Sequence, residues 1–172
     1  QEAQPGQRAL DIGTGSGCIA VSLALEGLQV TAMDISADAL RIAGGNASML
    51  QADVELVQED ILHPASSNQQ WDIIVSNPPY IRHMEAGDME ATVLEHEPHT
   101  ALFVPDSDPL LFYRAIGQYA WEHLGSQGKL WFEINREFHR ETCQLLEGFG
   151  FTGIEARKDF YDNYRFVKAT RP

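Results

Sequence analysis

The residues Asn77-Pro78-Pro79-Tyr80 follow directly on Trp71-Asp72-Ile73-Ile74-Val75-Ser76, an apolar run that reads as a buried strand. Their types suit the handling of a planar amino group. An amide or aniline-like nitrogen is a weak nucleophile because its lone pair is delocalised, so a catalyst must hold the NH2 where that pair faces an electrophile. The Asn77 side-chain oxygen and the Pro78 carbonyl can each accept one NH2 hydrogen. The two prolines stiffen the turn, and Pro78 adds no competing N–H. Tyr80 offers a flat face for the substrate's planar group. Asn and Pro also punctuate loops that do no chemistry, and this segment alone does not separate the two readings.

A second segment shifts the balance. Ala9-Leu10-Asp11-Ile12 predicts a short strand, Gly13-Thr14-Gly15-Ser16-Gly17 a glycine turn, and Cys18 to Leu25 a helix. Glycines at alternate positions let a ligand approach the backbone, and the helix start adds N–H groups and a positive dipole end. This is the layout of a nucleotide-type cofactor cradle. A dinucleotide fingerprint needs its third glycine one position later, where this chain has Cys18, and no Lys-Ser or Lys-Thr follows to make a P-loop. The next strand, Val30 to Met33, ends at Asp34, about 20 residues beyond the glycines, where an acid reaches ribose hydroxyls. A third strand, Val54 to Val57, runs into Gln58-Glu59-Asp60-Ile61, which puts Asp60 at the same edge to accept from an adenine amino group. Ligands of open α/β sheets lie outside the carboxyl ends of the strands, and Asp11, Asp34, Asp60 and the Asn77 turn all fall there.

The remaining elements must hold these ends in register. Leu40, Ala43, Ala47 and Leu50 give Ala37 to Leu50 one apolar helical face, with Ser36 as N-cap. Pro109 to Leu124 predicts a further helix stopped by Gly125 to Gly128, followed by a strand from Lys129 to Ile134. Glu137 to Phe149 predicts the last helix, ended by Gly150. Segments near Thr152 to Arg157 and Arg165 to Ala169 predict a terminal hairpin. The order implies an α/β fold with a mostly parallel sheet and an antiparallel strand near one edge. Ile81 to Ser107 is long and weakly periodic, which suggests a functional lid. Its His96, Glu97 and His99 lack the further ligands a metal would need, so the expectation is no metal. Arg82 and His83 face either substrate or solvent, and Glu133 reads as structural.

Asp11 to Gly17 taken with Asn77 to Tyr80 resemble class I S-adenosylmethionine-dependent methyltransferases that act on amino or amide nitrogen. Val93 to Leu102, Asp108 to Arg114 and Arg157 to Arg165 resemble, more narrowly, the catalytic domain of the peptide chain release factor glutamine methyltransferases. The resemblance covers nearly the whole chain. It implies a Rossmann-like fold: a mostly parallel seven-stranded sheet with helices on both faces and a C-terminal antiparallel hairpin. It implies S-adenosyl-L-methionine as cofactor, S-adenosyl-L-homocysteine as product, and transfer to the N5 nitrogen of the glutamine in a Gly-Gly-Gln motif. Asn77, Pro78, Pro79 and Tyr80 become the catalytic residues. Asp11, Gly13, Thr14, Gly15, Gly17, Asp34, Ile35, Asp60, Ile61 and Asn77 become the cofactor-binding set. Two departures are local: Ile134-Asn135-Arg136 replaces an expected glycine turn, and Cys18 opens the cofactor helix. The family's helical N-terminal domain has no counterpart in residues 1–172, so the expectation is a catalytic domain alone.

Composition narrows the partner. With 172 residues, 44% of them hydrophobic, the chain can bury one substantial core. It has no apolar run of the roughly 20 residues that a membrane span requires, and no charged-then-apolar leader; the expectation is a cytoplasmic monomer that touches no membrane. Cys18 and Cys143 read as free, buried thiols. Adenine in DNA also presents a planar amino group, so an amino-directed DNA methyltransferase is an alternative, as is a non-catalytic cofactor-binding interaction module. A DNA enzyme must grip a polyanion and flip a base. Here twelve Lys and Arg are scattered among twenty-five Asp and Glu, for a formal net charge of -13, which favours a protein substrate, a release factor, over nucleic acid.

Overall fold

Strand β1 (Arg8–Ile12) is buried at every position after Arg8, because it lies between two parallel neighbours with helices against both faces. The computed structural model describes residues 3–82, 84 and 103–172. In chain order, α1 (Cys18–Leu25), β2 (Gln29–Asp34), α2 (Ala37–Met49), β3 (Val54–Gln58) and β4 (Trp71–Ser76) follow β1. After the short β5 (Ile81–Arg82) and β6 (Phe103–Val104) come α3 (Leu111–His123), β7 (Leu124–Glu133), α4 (His139–Phe149), β8 (Thr152–Lys158) and β9 (Tyr164–Thr170). The main sheet has seven strands in the order β3-β2-β1-β4-β7-β9-β8. All of its pairs are parallel except β7 with β9 and β9 with β8.

The order reverses between β1 and β4, and this topological switch brings the ends of both strands to one crevice. Ile12 stands opposite Met33 on one side and Ser76 on the other, and Ser76 stands opposite Phe132. The Ser76 hydroxyl donates to the Ile12 carbonyl at 2.7 Å, which ties the glycine turn to the Asn77 turn. The main core lies on the α3/α4 face, where Leu10, Ile74, Leu130 and Phe132 pack under Ile116 and Leu146. A smaller core of Ala9, Ala20, Val30, Ala32 and Ile73 lies on the α1 face. Beside it, Ile73, Val75, Trp131 and Phe166 line an open apolar cleft of about 310 Å³.

The expected elements are present, with three differences. β7 begins at Leu124, earlier than the expected Lys129: α3 ends at His123, before the glycines as expected, but Trp71 pairs with Leu124 and Ile73 with Lys129, so the glycine segment is taken up as an irregularity inside the strand. The last helix opens with a 3-10 turn, Arg136–Phe138, which Asn135 starts by accepting from the Glu137 N–H at 3.0 Å. Ile81–Arg82 pairs in parallel with Phe103–Val104, so the two ends of the predicted lid are clamped together. Residues 83 and 85–102, with His83, His96, Glu97, Pro98 and His99, lie outside the described residues. Both cysteines are free as expected, but the expectation of burial is corrected: Cys18 is exposed at the start of α1 and Cys143 only half-buried. Among the described residues no helix is long and apolar enough to cross a membrane.

Candidate active site at the carboxyl edge of the sheet

The glycine turn is built by backbone bonds and one buried acid. The N–H groups of Gly13 and Thr14 both donate to the Met33 carbonyl, at 2.8 and 3.0 Å, so the turn curls over the end of β2. Gly17 caps α1 in the left-handed region (φ 81), and a Cβ there would sit 2.9 Å from the Ala43 Cβ; no other residue type fits. Gly13 and Gly15 also have positive φ, yet a Cβ on either would meet nothing within 4 Å. Their open side is where a ligand can lie against the backbone.

Asp11 lies beneath this turn, 1% exposed. Its Oδ2 accepts from the Thr14 hydroxyl at 2.6 Å and from the Ala20 N–H at 3.1 Å, while its Oδ1 is buried with no partner. Burial, outweighing these two hydrogen bonds, pushes its pKa up to about 6, with the nearby Asp34 adding to the rise. A buried carboxylate with one idle oxygen is suited to receive a cation. Asp34, at the end of β2, accepts from the Gly15 N–H at 2.9 Å with Oδ2 and from the Ser36 N–H at 2.9 Å with Oδ1. It therefore fastens the glycine turn to the start of α2, where Ser36 caps the helix through the Ala39 N–H as expected. Asp60 accepts from the Leu62 N–H at 2.9 Å, and its second oxygen lies 3.0 Å from His63 Nδ1; the His63 bond, then the Leu62 bond, holds its carboxyl below the usual range. Of the two isoleucines, Ile35 is 62% exposed beside Asp34, whereas Ile61 is buried in the main core.

The Asn77 turn differs in kind. Asn77 is exposed, and among the described residues no hydrogen bond holds its side-chain amide, whereas Pro78 behind it is buried. Tyr80 is pinned at both ends: its carbonyl accepts from Asn135 Nδ2 at 3.2 Å, and its hydroxyl donates to Glu133 Oε1 at 3.1 Å. Its ring packs against the main core. Burial first, and the Glu133 charge second, push the Tyr80 phenol up to about 12. Arg165 Nη1 stands 3.7 Å from Glu133 Oε1, and its Nε stands 3.5 Å from Asp159. The Asn135 N–H donates to the buried Tyr113 hydroxyl at 3.1 Å. Arg82, two residues beyond Tyr80, pairs with Glu137 at 2.7 Å and lies over the Phe138 ring.

Asn135, Tyr113 and Arg165 are thus supports that the sequence does not announce, and Glu133, which reads as structural, is the acceptor of the Tyr80 hydroxyl. An acid at the very end of a buried strand, followed by Asn135 where a glycine was expected, was the available signal. The structure brings Asp11, Gly13 to Gly17, Asp34 and the Asn77 turn to one crevice, with Asp60 further along the same edge at the end of β3. Among the described residues no three His, Cys, Asp or Glu side chains are grouped to hold a metal ion.

Comparison with known proteins bears on the fold and the family. The chain is 48% identical over 163 residues to a release factor glutamine methyltransferase of Flavobacterium psychrophilum, covering 94% of this chain and 57% of that protein. It is 43% identical to a protein of the same name from Bacteroides thetaiotaomicron, covering 99% of this chain and 63% of that one. The chain therefore spans about three-fifths of these relatives' lengths. Among solved structures, a methyltransferase from Pyrococcus furiosus superposes with a TM-score of 0.72 at 18% identity, over 98% of this chain and 76% of that one. A T. thermophilus 16S rRNA methyltransferase in complex with AdoMet and guanosine gives the same TM-score and identity over 98% of this chain and 38% of its own. These likenesses establish the fold of class I S-adenosylmethionine-dependent methyltransferases. Residues 1–102 match the methyltransferase small domain model, and the chain belongs to that family.

Proposed function

We propose that this protein transfers a methyl group from S-adenosyl-L-methionine to the side-chain amide nitrogen of the glutamine in the Gly-Gly-Gln motif of a peptide chain release factor. The observation that carries this reading is Asn77: an exposed amide with no hydrogen-bond partner among the described residues, at the end of β4, on a turn anchored by buried Pro78 and by Tyr80, and tied through Ser76 to the glycine crevice. The names of the relatives at 43 and 48% identity point to the same substrate.

The residues fit the cofactor. The open side of Gly13 and Gly15 admits its nucleoside end, Asp34 has lone pairs left for ribose hydroxyls, and exposed Ile35 gives the adenine an apolar surface. Ile61 is buried in the core next to Asp60, which retains lone pairs for the adenine amino group. Asp11 lies beneath the amino-acid end with Thr14 over it, and its ionised carboxylate supplies negative charge that favours an ammonium above the turn. The bound cofactor supplies an electrophilic methyl carbon on a sulfonium. On the other side, Asn77 Oδ1 and the Pro78 carbonyl accept the two amide hydrogens and turn the nitrogen lone pair toward that carbon. Pro79 keeps the turn rigid and Tyr80 flanks the carboxamide plane. A general base is not needed before transfer, because the nitrogen becomes strongly acidic once alkylated and loses its proton to water. Position and electrostatics carry the rate.

The test is labelled methyl transfer from S-adenosylmethionine to a purified release factor, to its Gln-to-Glu variant at the Gly-Gly-Gln tip, and to duplex DNA. Label on the unaltered factor alone is expected. Label on DNA alone overturns the reading.

A further inference from the structure

The turn between β8 and β9 projects two neighbouring aromatic side chains into solvent: Phe160 is 107% exposed and Tyr161 87%. It is not a loose tip. Asp159 accepts from the N–H groups of Tyr161 at 2.9 Å and Asn163 at 3.0 Å, and its own N–H donates to the Asn163 carbonyl at 2.8 Å. Asp162 takes a left-handed conformation (φ 66), and its carboxylate holds Lys158 Nζ at 2.9 Å. The polar side chains brace the turn, and the two rings are left outside it.

Register places this tip beside the site. Phe166 of β9 pairs with Glu133 at the end of β7, and Phe132 of β7 pairs with Ser76 at the end of β4. The turn 159–163, which precedes β9, therefore overhangs the same edge as Asn77. Arg165 spans the gap, between Asp159 of the turn and Glu133, the acceptor of the Tyr80 hydroxyl. At about 4.8 Å per strand, the turn is offset roughly 12 Å sideways from Asn77, and Phe160 and Tyr161, which precede Phe166, the β9 residue level with Asn77, stand further out from the edge. An extended peptide bridges the two in roughly five to seven residues.

Resting on the function proposed above, we infer that Phe160 and Tyr161 form a docking knob for the protein substrate, gripping an apolar side chain a few residues from the reacting glutamine. Large, stiff aromatic side chains give contact area at little entropic cost, and a braced turn has little order left to lose. Exposed aromatics also stack on single-stranded bases, but that mode needs a cationic groove. Here Lys158 and Arg165 are engaged by Asp162, Asp159 and Glu133, and the whole chain carries a net charge of -13, which suits a cationic polypeptide.

The test compares the unaltered protein with the double variant Phe160→Ser/Tyr161→Ser, using a purified release factor as substrate and calorimetry for S-adenosylmethionine. Both side chains lie outside the core, so the melting temperature serves as the folding control. The expected result is a KM for the factor raised about tenfold, with kcat within about twofold and cofactor affinity unchanged. An unchanged KM overturns the docking knob, and if affinity for a single-stranded RNA oligomer falls instead, the rings belong to nucleic acid. Absence of transfer by the unaltered protein overturns the substrate reading and this inference with it.

Discussion

The two turns that meet at the crevice are built on opposite plans. The glycine turn spends most of its polar groups on itself: Gly13 and Thr14 donate to Met33, Gly15 to Asp34, and Thr14 with Ala20 to Asp11. The Asn77 turn keeps its one reactive-looking side chain free and is fixed from behind by Pro78 and by the bonds of Tyr80 to Glu133 and Asn135. A cradle that only has to bind can be rigid and self-satisfied. A group that must act in a transition state has to be held by its neighbours while its own acceptor stays available. The contrast suggests that substitutions in the first turn change binding and those in the second change rate.

The largest expected effect comes from Asn77→Ala. Loss of one acceptor formed for the transition state lowers kcat by about 10²- to 10³-fold while S-adenosylmethionine affinity barely moves, by analogy with removal of an oxyanion-hole donor. Steady-state kinetics combined with calorimetry reads both. Asp34→Ala tests the other turn: removal of a charged acceptor that also fastens Gly15 weakens cofactor binding by about 10- to 100-fold. Turnover at saturating cofactor changes little. Equal effects on both quantities in both variants would erase the distinction between the turns.

Asp11 gives a pH signature to the binding turn. Its pKa rises in the fold from 3.8 to about 6, so the folded protein keeps this proton where the unfolded chain has lost it. Stability is therefore lost as pH rises through this window, by about 3 kcal/mol once pH exceeds about 6. Thermal unfolding of the protein against Asp11→Asn, compared across that interval, isolates the contribution from that of other carboxylates. Cofactor affinity is expected to run the opposite way, strengthening as Asp11 ionises and its charge attracts an ammonium above the turn. A flat affinity profile across pH 6 would remove Asp11 from the cofactor's amino end. The smallest effect belongs to Glu133→Gln, which keeps an acceptor for Tyr80 but removes the charge. The phenol then titrates below its present value of about 12, seen by absorbance, with kcat lowered only a few-fold.

Most of the frame was legible because its signals are local. Cys18 to Leu25 and Trp71 to Ser76 have the boundaries their apolar runs predict, and Ser36 caps α2 as its position before Ala37 suggests. Glycine and carboxylate spacing located the crevice for the same reason, since the chain's own order sets which strand ends meet. The supports of Tyr80 were not legible. Glu133, Asn135 and Arg165 lie more than 50 residues further along the chain and reach it only because β4, β7 and β9 are neighbours in the sheet. Gly125 to Gly128 follow the end of α3 as expected, but the early start of β7 was not legible, because a strand can absorb such glycines as an irregularity beside Trp71.

In the proposed reaction the Asn77 acceptor, with the Pro78 carbonyl, prepares a planar amide nitrogen for alkylation. Tandem mass spectrometry of a release factor after incubation with this protein and S-adenosylmethionine tests it most directly. The expected product carries a single added methyl on the side-chain nitrogen of the Gly-Gly-Gln glutamine, and that methyl is lost with Asn77→Ala. A methyl found on a carboxylate, a lysine or the backbone, or an undiminished yield from the variant, would contradict it.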